Sequence, residues 1–156
     1  MDLPATQLRK DLTALFSKES HCFLNAEKIE GIKLIEKRNP KEDCFKGYNC
    51  FVYIFGLGKE IPFDLETYSF WMPTKGYSEI EIPEKGDLVV YIDTRVEKEP
   101  VHIGFSEGKI RVRSKWTYGD IYEHDLEQVP ESYGDKVMFF RKNTSKDNKK
   151  SKKEKD

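Results

Sequence analysis

Short runs of β-branched and aromatic residues dominate the second half of the chain. They occupy residues 86–93, 101–107, 109–116 and 136–142, and each is bounded by glycine, proline or charged residues. This pattern is typical of β-strands. The Glu107-Gly108 step between the second and third run predicts a tight hairpin turn.

The first half of the chain has a helical periodicity instead. The apolar residues spaced for one helix face are Leu8, Leu12, Leu15 and Phe16. Asp2 as a cap and Pro4 in the first turn predict a helix over residues 4–17. Residues 20–40 fit either a short helix or an irregular strand, and the apolar run from Cys50 predicts a second helix. We therefore expect an α+β domain with helices first and an antiparallel sheet after them.

Charge divides the chain into a body and a tail. The length of 156 residues fits one domain, which we assign to residues 1–141. Residues 142–156 carry seven lysines against three acidic residues and contain no apolar residue, so they predict a disordered Lys-rich tail. The body is mildly acidic, which makes nucleic-acid binding an unfavoured function. We interpret the tail as a solubilising end rather than a tether.

The chain shows no targeting or membrane-spanning pattern. Its first residues contain an acid, a proline and several charges where a signal peptide would be continuously apolar. No apolar run approaches the roughly 18 residues that a membrane span needs. Three cysteines, an odd number, fit free thiols in a reducing compartment. We therefore predict a cytoplasmic protein that contacts no membrane.

Alternation along the predicted strands separates polar from apolar side chains. His102 and Gly104 share one face of their strand, opposite to Val101, Ile103 and Phe105, so the imidazole is expected to have room beside it. In the next strand the residues that share one face are Ile110, Val112, Ser114 and Trp116. Ser114 is then a small polar group on an apolar face, where it needs a hydrogen-bond partner.

These residue types suit nucleophilic catalysis. A thiol nucleophile needs a nearby base, and a third polar group commonly orients that base. Cys50, His102 and Ser114 are groups of the right kind. If Asn49 caps the helix that begins near Cys50, the backbone amides there would lower the pKa of the thiol and hold an oxyanion.

The sequence gives less support to a metal or cofactor site than to nucleophilic catalysis. The possible soft metal ligands are His21, Cys22, Cys44, Cys50, His102 and His124. They show no paired spacing of the zinc type, so no metal site is predicted. The sequence Gly56-Leu57-Gly58 lacks the third glycine of a dinucleotide-binding turn, and we expect no cofactor.

The order of these segments resembles the NlpC-type branch of papain-like cysteine peptidases. In that branch a cysteine begins an apolar helix, a glycine-aspartate-led strand follows, and a histidine strand precedes a polar residue about twelve positions later. Ser114 is twelve positions beyond His102. The chain also resembles a group of small bacterial proteins of that fold, over roughly residues 44–141. The matching segments are Tyr48-Asn49-Cys50, Phe70–Pro73, His102, Ser114–Trp116, His124 and Pro130–Gly134.

This resemblance implies a papain-like fold, with N-terminal helices packed on a small antiparallel sheet, and specific roles. Cys50 would be the nucleophile and His102 the base, with Ser114 as the orienting residue. The branch normally uses histidine, asparagine or glutamine there, so His124 or Asp125 is an alternative. The residues implied in substrate binding are Tyr48, Asn49, Trp71 and Trp116. The branch cleaves cell-wall peptides after export, and the missing export signal means that this substrate does not carry over.

Two hypotheses about function follow. The first is a cysteine hydrolase, amidase or acyl transferase that acts on a peptide or protein and forms a covalent acyl-enzyme. The second is a catalytically inactive interaction module of the same fold, in which Trp71 and Trp116 bind a partner protein. The sequence indicates no oligomeric state.

Overall fold

The structure, a computed structural model, describes residues 1–20, 22–39, 50–55, 77–95, 99–117 and 119–143. The elements are α1 Gln7–Thr13, β1 Phe16–Ser17, β2 Cys22–Phe23, β3 Lys33–Glu36, α2 Cys50–Phe55, β4 Tyr77–Ile80, β5 Leu88–Asp93, β6 Glu99–Gly108, β7 Arg111–Lys115, β8 Ile121–Asp125 and β9 Lys136–Lys142. Short 3-10 turns lie at Ala26–Lys28 and Glu131–Tyr133. Within these residues no helix has the length and apolar character needed to cross a bilayer.

Seven strands form one antiparallel sheet in the order β3-β8-β7-β6-β5-β9-β4. Strands β5 to β8 follow one another as neighbours in a meander, and β9 then pairs on the free side of β5. The first two strands pair separately, and a bridge between Cys22 and Thr117 joins them to the end of β7. The meander therefore forms the centre of the molecule.

The expected α+β, papain-like arrangement with N-terminal helices is wrong, because the described chain is mostly β. The helix predicted over residues 4–17 is only Gln7–Thr13. Thr6 is its N-cap and accepts a hydrogen bond from the amide of Arg9, so the helix begins after the predicted start. At the other end Phe16 pairs with Phe23 in a small hairpin instead of continuing the helix.

The strands predicted in the second half are confirmed with modest changes of boundary. The predicted hairpin turn lies between β6 and β7, where Gly108 and Lys109 both have positive φ, of 97° and 53°. Strand β9 includes Lys142, so the folded chain reaches one residue into the predicted tail. Strand β3 lies in residues 20–40, where the sequence fits either a short helix or an irregular strand, and the strand alternative is the one observed. Strands β4 and β8 were not predicted, since their sequences are polar and short.

Alternation along the central strands creates two cores, one on each face of the sheet. Val89 and Tyr91 of β5 belong to a core that also contains Leu12, Trp116 and Tyr133. We call this the α1 face. The opposite face carries Leu88, Val90, Ile92, Ile103, Cys50 and Ile54. We call it the α2 face, because helix α2 contributes to it.

A buried arginine anchors helix α1. The Arg9 side chain is almost completely buried and donates hydrogen bonds to five main-chain carbonyls. Its acceptors are the carbonyls of Leu3, Pro4, Val129, Pro130 and Gly134. These bonds join helix α1 to the segment that carries Tyr133, just before β9.

Candidate functional site

His102 lies at the centre of the α1 face. It is opposite Tyr91 in the β5–β6 pairing and has no exposed surface. The Tyr133 ring stacks on the imidazole, with centroids 4.0 Å apart and planes inclined by 12°. The Tyr91 ring lies 5.5 Å from the imidazole. Two tyrosines therefore form much of the surroundings of His102.

Neither ring nitrogen of His102 has a hydrogen-bond partner among the described residues. Burial lowers the pKa of this imidazole well below its usual range, and the nearby His124 lowers it further. The ring is therefore neutral at pH 7. A neutral imidazole has one nitrogen that accepts a proton and one that donates, and here neither is used.

His124 is equally buried but fully hydrogen-bonded. Its Nδ1 lies 2.7 Å from the carbonyl oxygen of Asp125, which can only accept, so Nδ1 carries the proton. Its Nε2 then accepts the proton of the Ser114 hydroxyl at 3.0 Å. The Ser114 oxygen accepts in turn from Nε1 of Trp116 at 3.1 Å. Burial, the largest influence, lowers the pKa of His124 to about 4.

This chain of hydrogen bonds changes the roles expected for two residues. Ser114 is buried on the inward face and has partners, as its position in the strand predicted. It bonds His124, however, and makes no hydrogen bond to His102, so the predicted orienting contact is not formed. Trp116 has no exposed surface, which corrects its expected role as a substrate or partner contact.

The space expected beside His102 is also filled. Gly104 lies next to His102 on the same face, and a Cβ at Gly104 would come within 2.8 Å of Val112 and 2.9 Å of Ser114. Glycine is needed there because β7 side chains pack closely on the β6 backbone. The expectation that Gly104 leaves room beside the imidazole is therefore wrong.

Cys50 begins helix α2 and is buried. It packs in the α2-face core with Ile103, whose side chain points away from the face that holds His102. The pKa of the Tyr133 phenol is raised well above its usual range, chiefly by burial and then by the charge that the Cys50 thiol can carry. Tyr133 is thus near both Cys50 and His102, although the latter two share no hydrogen bond.

A pocket of about 410 Å³ opens beside Tyr133. Its lining residues are Thr13, Phe16, Phe23, Val101, Thr117, Ser132 and Tyr133. Val101 precedes His102 in strand β6, and Tyr133 stacks on that histidine. The buried imidazole therefore lies behind one wall of an open cavity.

Several predicted residues lie outside the described part of the chain. They are Tyr48, Asn49 and Trp71, together with Cys44 and His21. Across the residues that the structure does describe, no group of three or more histidine, cysteine or acidic side chains is arranged to hold a metal ion. Cys22 lies in strand β2 and is completely buried.

Comparisons with protein-family models, curated proteins and solved structures find no match for this chain. The resemblance to NlpC-type peptidases therefore remains a prediction.

Sequence reasoning did not identify Tyr91 and Tyr133 as neighbours of His102. In the sequence, Tyr133 stood out only as a member of the segment Pro130–Gly134, one of those that carry the resemblance. Pairing of Tyr91 with His102 depends on the β5–β6 register, in which the strand shifts by one residue after Tyr91. This register shift cannot be predicted from the hydrophobic pattern of the sequence.

Proposed function

We propose that this protein is a thiol-dependent hydrolase or acyl transferase that acts on amide or ester carbonyls of a peptide or protein. Cys50 is the nucleophile and His102 the base. The supporting observation is that His102 is completely buried and that neither ring nitrogen has a hydrogen-bond partner in the part of the chain that the structure describes.

An unpaired buried imidazole is costly to the fold. Each unsatisfied polar group in a protein core costs about 1–3 kcal/mol, and an apolar ring of similar size would avoid that cost. The neighbouring His124 shows that this core can satisfy a histidine completely. Since the unpaired nitrogens of His102 bring no structural benefit, a role in chemistry or ligand binding accounts for them.

In the proposed reaction, the Cys50 sulfur forms a bond to the carbonyl carbon while the thiol proton passes to His102. The imidazolium then gives the proton to the departing amine or alcohol, whose bond to the carbonyl carbon breaks. Water attacks the resulting thioester, loses a proton to His102, and the thiol leaves with that proton. An amine or alcohol in place of water gives acyl transfer.

Before substrate binds, Cys50 and His102 do not form a thiolate–imidazolium pair. Burial keeps His102 neutral, so it acts as a general base that accepts the thiol proton during the attack. Catalytic hydrogen bonds are often long before substrate binds, and this reaction requires the Cys50 thiol to reach the His102 ring as the substrate is bound. Tyr133 stacks on the His102 ring, and the Cys50 thiol influences its phenol electrostatically.

A second candidate function is binding without catalysis. The placement of Cys50 in the α2-face core, away from the face of His102, favours it. In this case the unpaired nitrogens of His102 bond a ligand group and transfer no proton. The Trp116 surface expected for such a module is buried, so the pocket beside Tyr133 takes its place.

Acylation by p-nitrophenyl acetate tests the first candidate. We expect a burst of nitrophenol and an acetyl group on Cys50, which peptide mapping by mass spectrometry locates. Cys22, which is also buried, serves as a control thiol in the same chain. The variant Cys50→Ser should lose the burst, and His102→Phe should slow acetylation by about 100-fold or more.

Acetylation of Cys50 that is equally fast in wild type and His102→Phe would remove His102 as the base. Acetylation of Cys50 only after denaturation, at the rate of Cys22, would leave the binding function as the better candidate.

A further inference from the structure

The cavity beside Tyr133 lies next to the proposed catalytic histidine and has an unusual lining. We propose that it binds an uncharged aromatic side chain of the substrate. This inference rests on the proposed function, because it assigns the substrate class of the same site.

The walls of the pocket are apolar and carry no formal charge. Four lining residues, Phe16, Phe23, Val101 and Tyr133, are apolar or aromatic, and the others are threonine or serine. A charged side chain entering this space would lose water without gaining a counter-ion. The lining therefore favours a neutral, apolar group.

The hydroxyl groups in the walls are largely occupied by the protein itself. Thr117 and Tyr133 share a hydrogen bond of 3.0 Å between their hydroxyls. The Thr13 hydroxyl donates to the carbonyl of Arg9 and accepts from the amide of Glu131. These groups present mainly their carbon atoms to the cavity, which again favours an apolar occupant.

The aromatic rings are arranged in a series that another ring can extend. Phe16 meets Phe23 edge to face at 5.1 Å, and Phe23 meets Tyr133 in the same way at 5.4 Å. Phe16 is 42% exposed at the mouth of the pocket, where an incoming ring gains edge-to-face contacts. The volume of about 410 Å³ is at the small end of ligand pockets and suits one residue rather than a long chain.

The pocket lies next to His102, which connects it to the proposed reaction. One face of Tyr133 stacks on the imidazole, and the same residue forms a wall of the pocket. Val101, another wall residue, is the neighbour of His102 in the chain. An aromatic side chain held here places its own backbone carbonyl close to the reacting residues, as a specificity pocket does.

Equilibrium binding to the full-length Cys50→Ala variant tests the pocket without turnover. The probes are N-acetyl-L-phenylalaninamide, N-acetyl-L-alaninamide and N-acetyl-L-lysinamide, and the readout is the methyl NMR signals of Val101 and Thr117. We expect the phenylalanine probe to bind about tenfold more tightly than the other two, and to shift both signals.

The matched substitutions are Val101→Glu at the mouth and Ile110→Glu elsewhere. Both residues are exposed and apolar, but Ile110 lies outside this pocket. Val101→Glu should weaken binding of the phenylalanine probe about tenfold, and Ile110→Glu should not change it. If Val101→Glu does not fold, Val101→Phe, which fills the mouth, replaces it with the same expectation.

The results separate this inference from the proposed function. Equal binding of all three probes, or equal effects of Val101→Glu and Ile110→Glu, would overturn the aromatic pocket even if Cys50 is acetylated. Selective binding without acetylation of Cys50 would overturn the catalytic proposal and leave the pocket as a binding site.

Discussion

His102 and His124 provide a comparison within one core. Both lie on the α1 face, both have no exposed surface, and burial lowers the pKa of both. His124 uses both nitrogens, through Ser114 and the carbonyl of Asp125. Neither nitrogen of His102 bonds any of the described residues, and its ring stacks on Tyr133.

The difference separates a structural histidine from a candidate functional one. Burial and a lowered pKa are common to both residues and do not distinguish them. The number of hydrogen bonds made by the ring nitrogens distinguishes the two histidines, because a fully paired ring has no lone pair left for a substrate. The comparison also explains why the twelve-residue spacing to Ser114 is misleading, since that hydroxyl serves the other histidine.

Exchanging each histidine for phenylalanine gives the largest contrast. His102→Phe keeps a ring against Tyr133, breaks no hydrogen bond and removes two unpaired buried nitrogens, so the free energy of unfolding should rise by about 1 kcal/mol or more. Acylation of Cys50 should fall about 100- to 10,000-fold. Urea unfolding and nitrophenol release measure the two quantities.

His124→Phe is the matched control and should behave in the opposite way. It leaves the Ser114 hydroxyl proton without its acceptor and the Asp125 carbonyl without its donor, at a cost of about 3 kcal/mol of stability. The acylation rate of the folded fraction should remain within a few fold. A stability loss for His102→Phe as large as that for His124→Phe would end the distinction between the two residues.

Acid should destabilise the protein through both histidines. Their pKa values are lowered in the folded state, so below about pH 6.5 the unfolded chain binds protons that the native state does not. The free energy of unfolding therefore falls as the pH decreases. His124 alone, with its pKa at about 4, should account for about 3 kcal/mol between pH 6.5 and pH 4.

Urea unfolding at pH 7, 5.5 and 4.5 measures this loss, and His124→Phe should reduce the pH dependence while the contribution of His102 remains. The carboxyl groups with lowered pKa, Asp87, Asp93 and Asp135, lose their contribution only near and below pH 4, so they do not obscure the window. Stability that is constant from pH 7 to 4.5 would contradict the neutral, buried state of the rings.

Ser114→Ala should cost about 2 kcal/mol of stability, because it leaves both Trp116 Nε1 and His124 Nε2 without a partner. Ser106 is a matched control, since it is buried in β6 and its hydroxyl accepts from the amide of Gly108. Ser106→Ala should cost about 1 kcal/mol. Thermal and urea unfolding compare the two variants.

Acylation should be the same in both serine variants once the folded fraction is taken into account. A selective loss of acylation in Ser114→Ala would return the serine to a catalytic role.

Tyr133→Phe should have the smallest effect. It removes the hydrogen bond to Thr117 and keeps the ring stacked on His102, so we expect a loss of about 1 kcal/mol in stability. The acylation rate should fall less than about fivefold, measured with p-nitrophenyl acetate. A loss of 100-fold would instead identify the phenol as the group that exchanges protons with Cys50.

The central strands could be predicted because their residues are strongly apolar. Leu88–Asp93 and Lys136–Lys142 are rich in residues that favour strands, and the structure places them side by side. Strand β8 was missed because its sequence, Ile121–Asp125, contains a glutamate, a histidine and an aspartate. Glu123 and Asp125 are accommodated by ion pairs with Arg111 of the neighbouring strand, which only the sheet brings close. Strand propensity depends strongly on such neighbours.

The candidate site could be predicted only in part, because the sequence shows the alternation within a strand but not the pairing between strands. Alternation along β7 was enough to place Ser114 inward. Its partner could not be identified, because His124 reaches it only through the β7–β8 register, in which Ser114 lies opposite Tyr122. The expected helix-rich first half failed because a few backbone pairings, such as Phe16 with Phe23, outweigh a weak helical periodicity.

The strand order also has a consequence for how the chain folds. Strands β5 to β8 pair with their immediate successors, so they can form early with short loops to close. Strand β3 can pair only after β8 has formed, and Lys33 then lies opposite Glu123. Strand β4 likewise pairs with the distant strand β9. Closing such distant pairs costs chain entropy before any contact compensates for it. The two edges of the sheet should therefore be the last parts to assemble and the first to open in hydrogen exchange.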